Sequence, residues 1–94
     1  MMNNESKLIE LAVRNHPGVM SHITGLFSRR GYNLEGILCG PVGDGSSSRM
    51  YLLVNNESRM EQVISQLEKL YDVLELKVKP EFDRTVFSRL DELV

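Results

Sequence analysis

Ninety-four residues with a formal charge of −2, 41% hydrophobic and 26% charged, describe one small globular domain and exclude a disordered chain. This balance gives no electrostatic reason to expect nucleic acid, Arg29, Arg30 and Arg49 reading as solvated surface, and the absence of a signal-peptide core or a membrane-length apolar run predicts a cytoplasmic protein. Cys39, the single cysteine, allows no intrachain disulfide and reads as a small buried residue.

Residues 1–6 read as a flexible lead-in, residues 7–79 as the folded unit and residues 80–94 as a tail. Lys7 to Arg14 alternates Ile9, Leu11 and Val13 with Leu8, Glu10, Ala12 and Arg14, the pattern of a strand with one face more buried. Asn15-His16-Pro17-Gly18 then turns the chain into an amphipathic helix running to about Arg30, with Pro17 expected in its first turn. Val19, Ile23, Leu26 and Phe27 share a face with the stem of Arg30, and Gly31 supplies the left-handed stop. A second strand is predicted from Tyr32 to Gly40, where Gly36 marks a bulge or a close approach. The turn-rich segment from Pro41 to Ser48 leads into a third strand, Arg49 to Asn55, so the pair makes a hairpin. Beyond Asn56 to Arg59, Met60, Val63, Ile64, Leu67, Leu70 and Tyr71 recur at helical spacing. Asp72 to Lys79 is the last strand, with Leu74, Leu76 and Val78 facing one way and Pro80 ending it.

The order strand, helix, strand, strand, helix, strand predicts an α+β, ferredoxin-like βαββαβ fold, a four-stranded antiparallel sheet with two helices on one face. In the tail, Phe82, Val86, Phe87, Leu90, Leu93 and Val94 are spaced as a short amphipathic helix that needs a surface to dock on. Docking on a partner or across a dimer is the expectation; packing on the open sheet face of its own domain is the alternative.

Nothing in the chain has the form of an active site. His16 and His22 lack the four-residue spacing that puts two metal ligands on one helical face, and Cys39 has no adjacent base. The serines lie outside any nucleophile elbow, and no Lys-Ser/Thr pair follows the glycines between Gly40 and Gly45 as a phosphate loop requires. Binding is better supported. Gly18 leaves the helix start bare, so the amides of Gly18, Val19 and Met20 can face a small anion such as a carboxylate. Asn15 adds a donor and an acceptor, which suits the paired carboxylate and ammonium of a free amino acid, and Asn33 is a second amide of this type. Both asparagines serve equally well to close turns, and the spacing leaves the two uses open.

The segments Asn15-His-Pro-Gly-Val19, Gly25-Leu-Phe-Ser-Arg-Arg-Gly-Tyr-Asn33, Glu35-Gly-Ile-Leu-Cys39 and Ser48-Arg-Met50 resemble the regulatory small subunits of acetohydroxyacid (acetolactate) synthase, which are ACT-domain proteins. The likeness spans roughly residues 7–79 and is greatest to the short small subunit of bacterial isozyme I. It implies a non-catalytic subunit that binds and activates the catalytic large subunit and confers feedback inhibition by valine, in branched-chain amino acid biosynthesis. Thiamine diphosphate, magnesium and flavin (FAD) then belong to the catalytic subunit, and this chain holds no cofactor. By position, Asn15, Gly18, Val19 and Met20 would hold the effector from one protomer of a homodimer, and Asn33, Ile37 and Cys39 would line the site from the other. Arg14 precedes Asn15 where the family usually has Glu-Asn or a similar pair, and the second C-terminal domain of longer members is absent from residues 80–94.

Three other uses of the fold compete with this one. A stand-alone ACT sensor would serve a different enzyme. An acylphosphatase-like enzyme would need Arg14 and Asn33 on one phosphoryl group. An RNA-recognition module would need aromatic platforms on the central strands, where Tyr51 is the only candidate.

Overall fold

The computed structural model describes residues 6–55, 58–79, 87 and 89–93. Strand β1 (Ser6–Arg14) leads into helix α1 (Val19–Arg29), followed by β2 (Leu34–Val42), β3 (Ser47–Asn55), helix α2 (Met60–Glu68) and β4 (Val73–Lys79), with a 3-10 turn at Arg89–Leu93. The four strands form one antiparallel-paired sheet in the order β2-β3-β1-β4, so β2 and β4 are its edges. This is the βαββαβ arrangement expected from the alternation of hydrophobic periods.

The core lies between one face of the sheet and both helices. Ile9, Leu11 and Val13 of β1 and Met50, Leu52 and Val54 of β3 meet Val19, Ile23, Leu26 and Phe27 of α1 and Met60, Val63 and Leu67 of α2. The apolar stripes of both helices therefore end on the same sheet face. Helix α1 closes through Gly31 at φ 73°, where Gly31 N–H donates to the Ser28 carbonyl and Tyr32 N–H to that of Phe27. That pair of bonds is a Schellman cap, and the Tyr32 ring completes it by packing edge-on against Phe27.

Strand β1 is buried on both faces. On the side away from the helices, Leu8, Leu53 and Phe87 form a second apolar cluster with Leu38 and Tyr51 against it. Phe87 comes from the tail, so the expectation that the stripe docks elsewhere is corrected at this residue: Phe87 is only 8% exposed on the open face of its own sheet. Gly36 makes room for it, since a Cβ there would lie 2.7 Å from Phe87 Cδ1. The strand register shifts between Leu34 and Gly36, so Gly36 marks both a bulge and a close approach. Leu93 is exposed, and Phe82, Val86 and Val94 lie outside the described residues. Beside this cluster the same face carries buried Glu10, whose carboxylate stands 3.4 Å from Lys79 and 3.7 Å from Arg49.

Several boundaries, and the placement of Tyr71, Leu74 and Cys39, differ from the sequence expectations: helix α2 ends at Glu68, so Leu70 and Tyr71 follow it and Tyr71 is exposed, and β4 starts at Val73. Helix α1 starts at Val19, with Pro17 in the turn before it rather than in its first turn. Strand β2 runs two residues later than expected, and β3 begins at Ser47, because the hairpin is closed by the short glycine-rich turn around Gly43, Asp44 and Gly45. Ser6 already belongs to β1. In β4 the pairing shifts so that Val13 faces Val73 while Ala12 faces Glu75, which leaves Leu74 in the bulge and exposed; Val73 packs inward in its place. Cys39 is exposed rather than buried, because β2 is an edge strand.

Candidate functional site

Three connections meet at the end of the sheet where β1 finishes. The backbone N–H of Asn15 donates to the Ser46 carbonyl at 3.1 Å, tying the β1–α1 turn to the β2–β3 hairpin. The N–H of Arg14 donates to the Asp72 carbonyl at 2.9 Å, tying it to the turn before β4. The Arg14 guanidinium lies over the exposed Tyr71 ring, 4.4 Å from its centroid. Met20 and Val42 are exposed among the large apolar residues, Met20 opening α1 and Val42 ending β2 beside the hairpin. A polar turn with apolar neighbours is thus presented at one end of the molecule.

The turn itself is built by Pro17 and Gly18. Gly18 sits at φ 87°, ψ −8°, the third position of a type II turn, and Val19 N–H closes it on the His16 carbonyl at 3.4 Å. Only a residue without a Cβ adopts that conformation at no cost. Helix α1 then begins with no side-chain cap, and His22 N–H is the donor to the Gly18 carbonyl. Among the described residues, the amides of Gly18, Met20 and Ser21 have no backbone acceptor. A Cβ built on Gly18 would meet nothing within 4 Å, so the backbone here is open to an approaching group. Bare N–H groups at the positive end of a helix dipole are suited to a carboxylate. Val19 departs from the expectation: its N–H is occupied by the turn and its side chain is buried in the core.

Asn15 serves the structure first. Its Nδ2 donates to the Gly45 carbonyl at 2.8 Å, which pins the hairpin to the turn. Its second amide hydrogen and its Oδ1 have no partner among the described residues, so one donor and one acceptor remain.

The residues expected from β2 are placed differently. The register pairs Leu34 and Lys7 with the same Val54, and Val42 and Arg14 with the same Ser47. Asn33, just before β2, therefore lies at the opposite end of the sheet from Asn15, about 25 Å away at 3.3 Å per strand residue. Ile37 and Cys39 pair with Leu52 and Met50, whose side chains face the helices, and so sit on the helix side of the free β2 edge. Desolvation holds the Cys39 thiol above its ordinary pKa, which keeps it neutral. The chain brings Asn15, Gly18 and Met20 together, and leaves Asn33 apart from them. The same separation keeps Arg14 and Asn33 from a shared phosphoryl group, and Tyr51 packs against the Phe87 cluster instead of standing free to stack on a base.

Sequence reasoning passed over His16. Its Nδ1 donates to the Pro17 carbonyl at 2.8 Å and its Nε2 to Asp72 Oδ1 at 2.5 Å. The bond to Asp72, and next the Pro17 carbonyl, raise its pKa above the ordinary histidine value. No sequence signal announces a partner 56 positions away. Among the described residues no group of three acidic, histidine or cysteine side chains could hold a metal, and no helix is long and apolar enough to cross a membrane.

Residues 9–75 match the family described as the AHAS small subunit-like ACT domain. The chain is 48% identical over 87 residues to the acetolactate synthase isozyme 1 small subunit of Escherichia coli K12, covering 93% of this chain and 90% of that protein. It is 41% identical over 69 residues to the isozyme 3 small subunit of the same organism, of which it spans 42%. Among solved structures, the acetolactate synthase small subunit of Thermotoga maritima superposes with a TM-score of 0.70 at 26% identity, over 93% of this chain and 66% of that one.

Proposed function

The chain belongs to the family of AHAS small subunit-like ACT domains, regulatory partners of a catalytic large subunit, and on that premise we propose that it is the valine sensor of an acetolactate synthase. The observation that carries this reading is the Gly18 turn: free amides at a bare helix start, the remaining donor and acceptor of Asn15, and exposed Met20 alongside. Together they offer a carboxylate site, partners for an ammonium and an apolar wall, the three parts of a branched-chain amino acid. In this reading the subunit works in the cytoplasm, activates the large subunit and transmits valine inhibition to it; thiamine diphosphate, magnesium and FAD stay with the large subunit.

The active form is a homodimer joined through β2. Edge strand β4 is charged at Glu75, Lys77 and Lys79, whereas β2 carries Glu35 alone, and uncharged edges are the ones that pair. Antiparallel pairing of two β2 strands turns the partner end for end. The partner's Leu34 end then lies beside this chain's Val42 end, which brings its Asn33 towards the Gly18 turn, with Ile37 and Cys39 along the seam. Separation of Asn33 from Asn15 within one protomer is what such a shared site requires.

Calorimetry with valine, leucine and isoleucine, together with acetolactate formation by the purified large subunit, tests the proposal. Valine should bind, the small subunit should raise activity, and valine should then lower it. A chain that binds none of the three and leaves the large subunit's rate unchanged would refute it.

A further inference from the structure

The Pro17–Gly18 peptide is trans, so the Gly18 N–H points opposite to the Pro17 carbonyl. That carbonyl accepts the Nδ1–H of His16, and the ring is held from its other side by Asp72, a buried residue of the α2–β4 connection. The His16 side chain therefore fixes the direction of the Gly18 amide from a second, distant part of the chain. Both acceptors are oxygens with no proton to give, a carbonyl and a carboxylate, so both ring nitrogens must carry hydrogen for both bonds to exist. Neutral imidazole has only one. The charged groups bearing on the ring are Asp72, which favours the cation, and Arg14 at the end of β1, which opposes it.

We propose that His16 is a positioning residue for the effector turn, and that the turn takes an amino-acid carboxylate best while His16 is an imidazolium. This rests on the reading of the Gly18 turn as the valine site. When His16 loses a proton, one of its two bonds is lost. The Pro17–Gly18 peptide is then freed to rotate, or the turn is released from Asp72, and in either case the Gly18 amide is no longer held in one direction. The raised pKa puts this change on the alkaline side of an ordinary histidine, so binding is strongest below that range and weakens as pH rises through it. By linkage, bound valine raises the His16 pKa further.

The test is valine calorimetry on the full 94-residue chain across the range in which imidazole titrates, about pH 6 to 8, with NMR titration of both histidines. The wild-type affinity should fall by about fivefold or more over this range, a modest allosteric coupling. His16→Gln, which keeps one donor and cannot titrate, should give a flat profile; Asp72→Asn should shift the fall to lower pH; His22→Gln, on the exposed side of α1, should keep the wild-type profile. In the free chain at the acid end, both His16 nitrogens should carry protons, and valine should move its titration upward. Valine affinity that is flat with pH in the wild type, or a His16 midpoint that valine leaves in place, overturns the proposal and leaves the valine reading standing. No valine binding at any pH overturns both.

Discussion

Each end of α1 is turned by a glycine in the left-handed region, Gly18 at φ 87° and Gly31 at φ 73°, but the two ends are finished in opposite ways. At Gly31 the last carbonyls are taken by Arg30, Gly31 and Tyr32 N–H groups, the Tyr32 ring is buried on Phe27, and the Arg59 guanidinium covers that ring at 4.8 Å. At Gly18 the amides of Gly18, Met20 and Ser21 are left bare and the Met20 side chain is exposed. The two φ angles lie in the same left-handed region. What separates a packing site from a binding site is whether the chain itself uses the hydrogen-bonding groups that the turn sets free.

The sharpest way to break this comparison is Gly18→Asp. Aspartate tolerates the left-handed region better than most residues and has open space at this position, so the fold should persist by circular dichroism. A carboxylate placed over the free amides should abolish valine binding in calorimetry. Unaltered valine affinity would show that the open end is structural only. The mirror experiment is Gly31→Ala, which should lower unfolding stability by about 1–2 kcal/mol, the cost of a left-handed alanine, and leave valine affinity unchanged. A smaller effect is expected from Arg59→Ala. Losing the cation over Tyr32 should cost about 0.5–1 kcal/mol in denaturant unfolding, again without touching effector binding.

How much of this was legible beforehand depended on the range of the interaction. The closed end of α1 could be read from Gly31 and the apolar spacing of Val19, Ile23, Leu26 and Phe27, because a helix and its cap are written within a few turns of sequence. Gly18 was legible as a bare helix start, but its left-handed turn was not, because Pro17 fits the first turn of a helix and the first turn before one equally well. Leu74 departs from the alternating pattern of its strand because a bulge adds a residue there, which the sequence does not mark. Cys39 misled because burial depends on strand order, and β2 proved to be an edge. His16 with Asp72, and Gly36 with Phe87, join residues 56 and 51 positions apart, and such pairs are decided by topology alone.

The seat that Gly36 provides for Phe87 has a consequence for how chains of this kind can diverge. An alanine at position 36 has no room while the aromatic ring is in place, and the ring has no seat once a side chain stands there. The two positions therefore form one unit of inheritance. A lineage that loses the aromatic tail is released from glycine at position 36, and a lineage that keeps it cannot drift there, so a side chain at 36 should appear only where the aromatic at 87 has already gone.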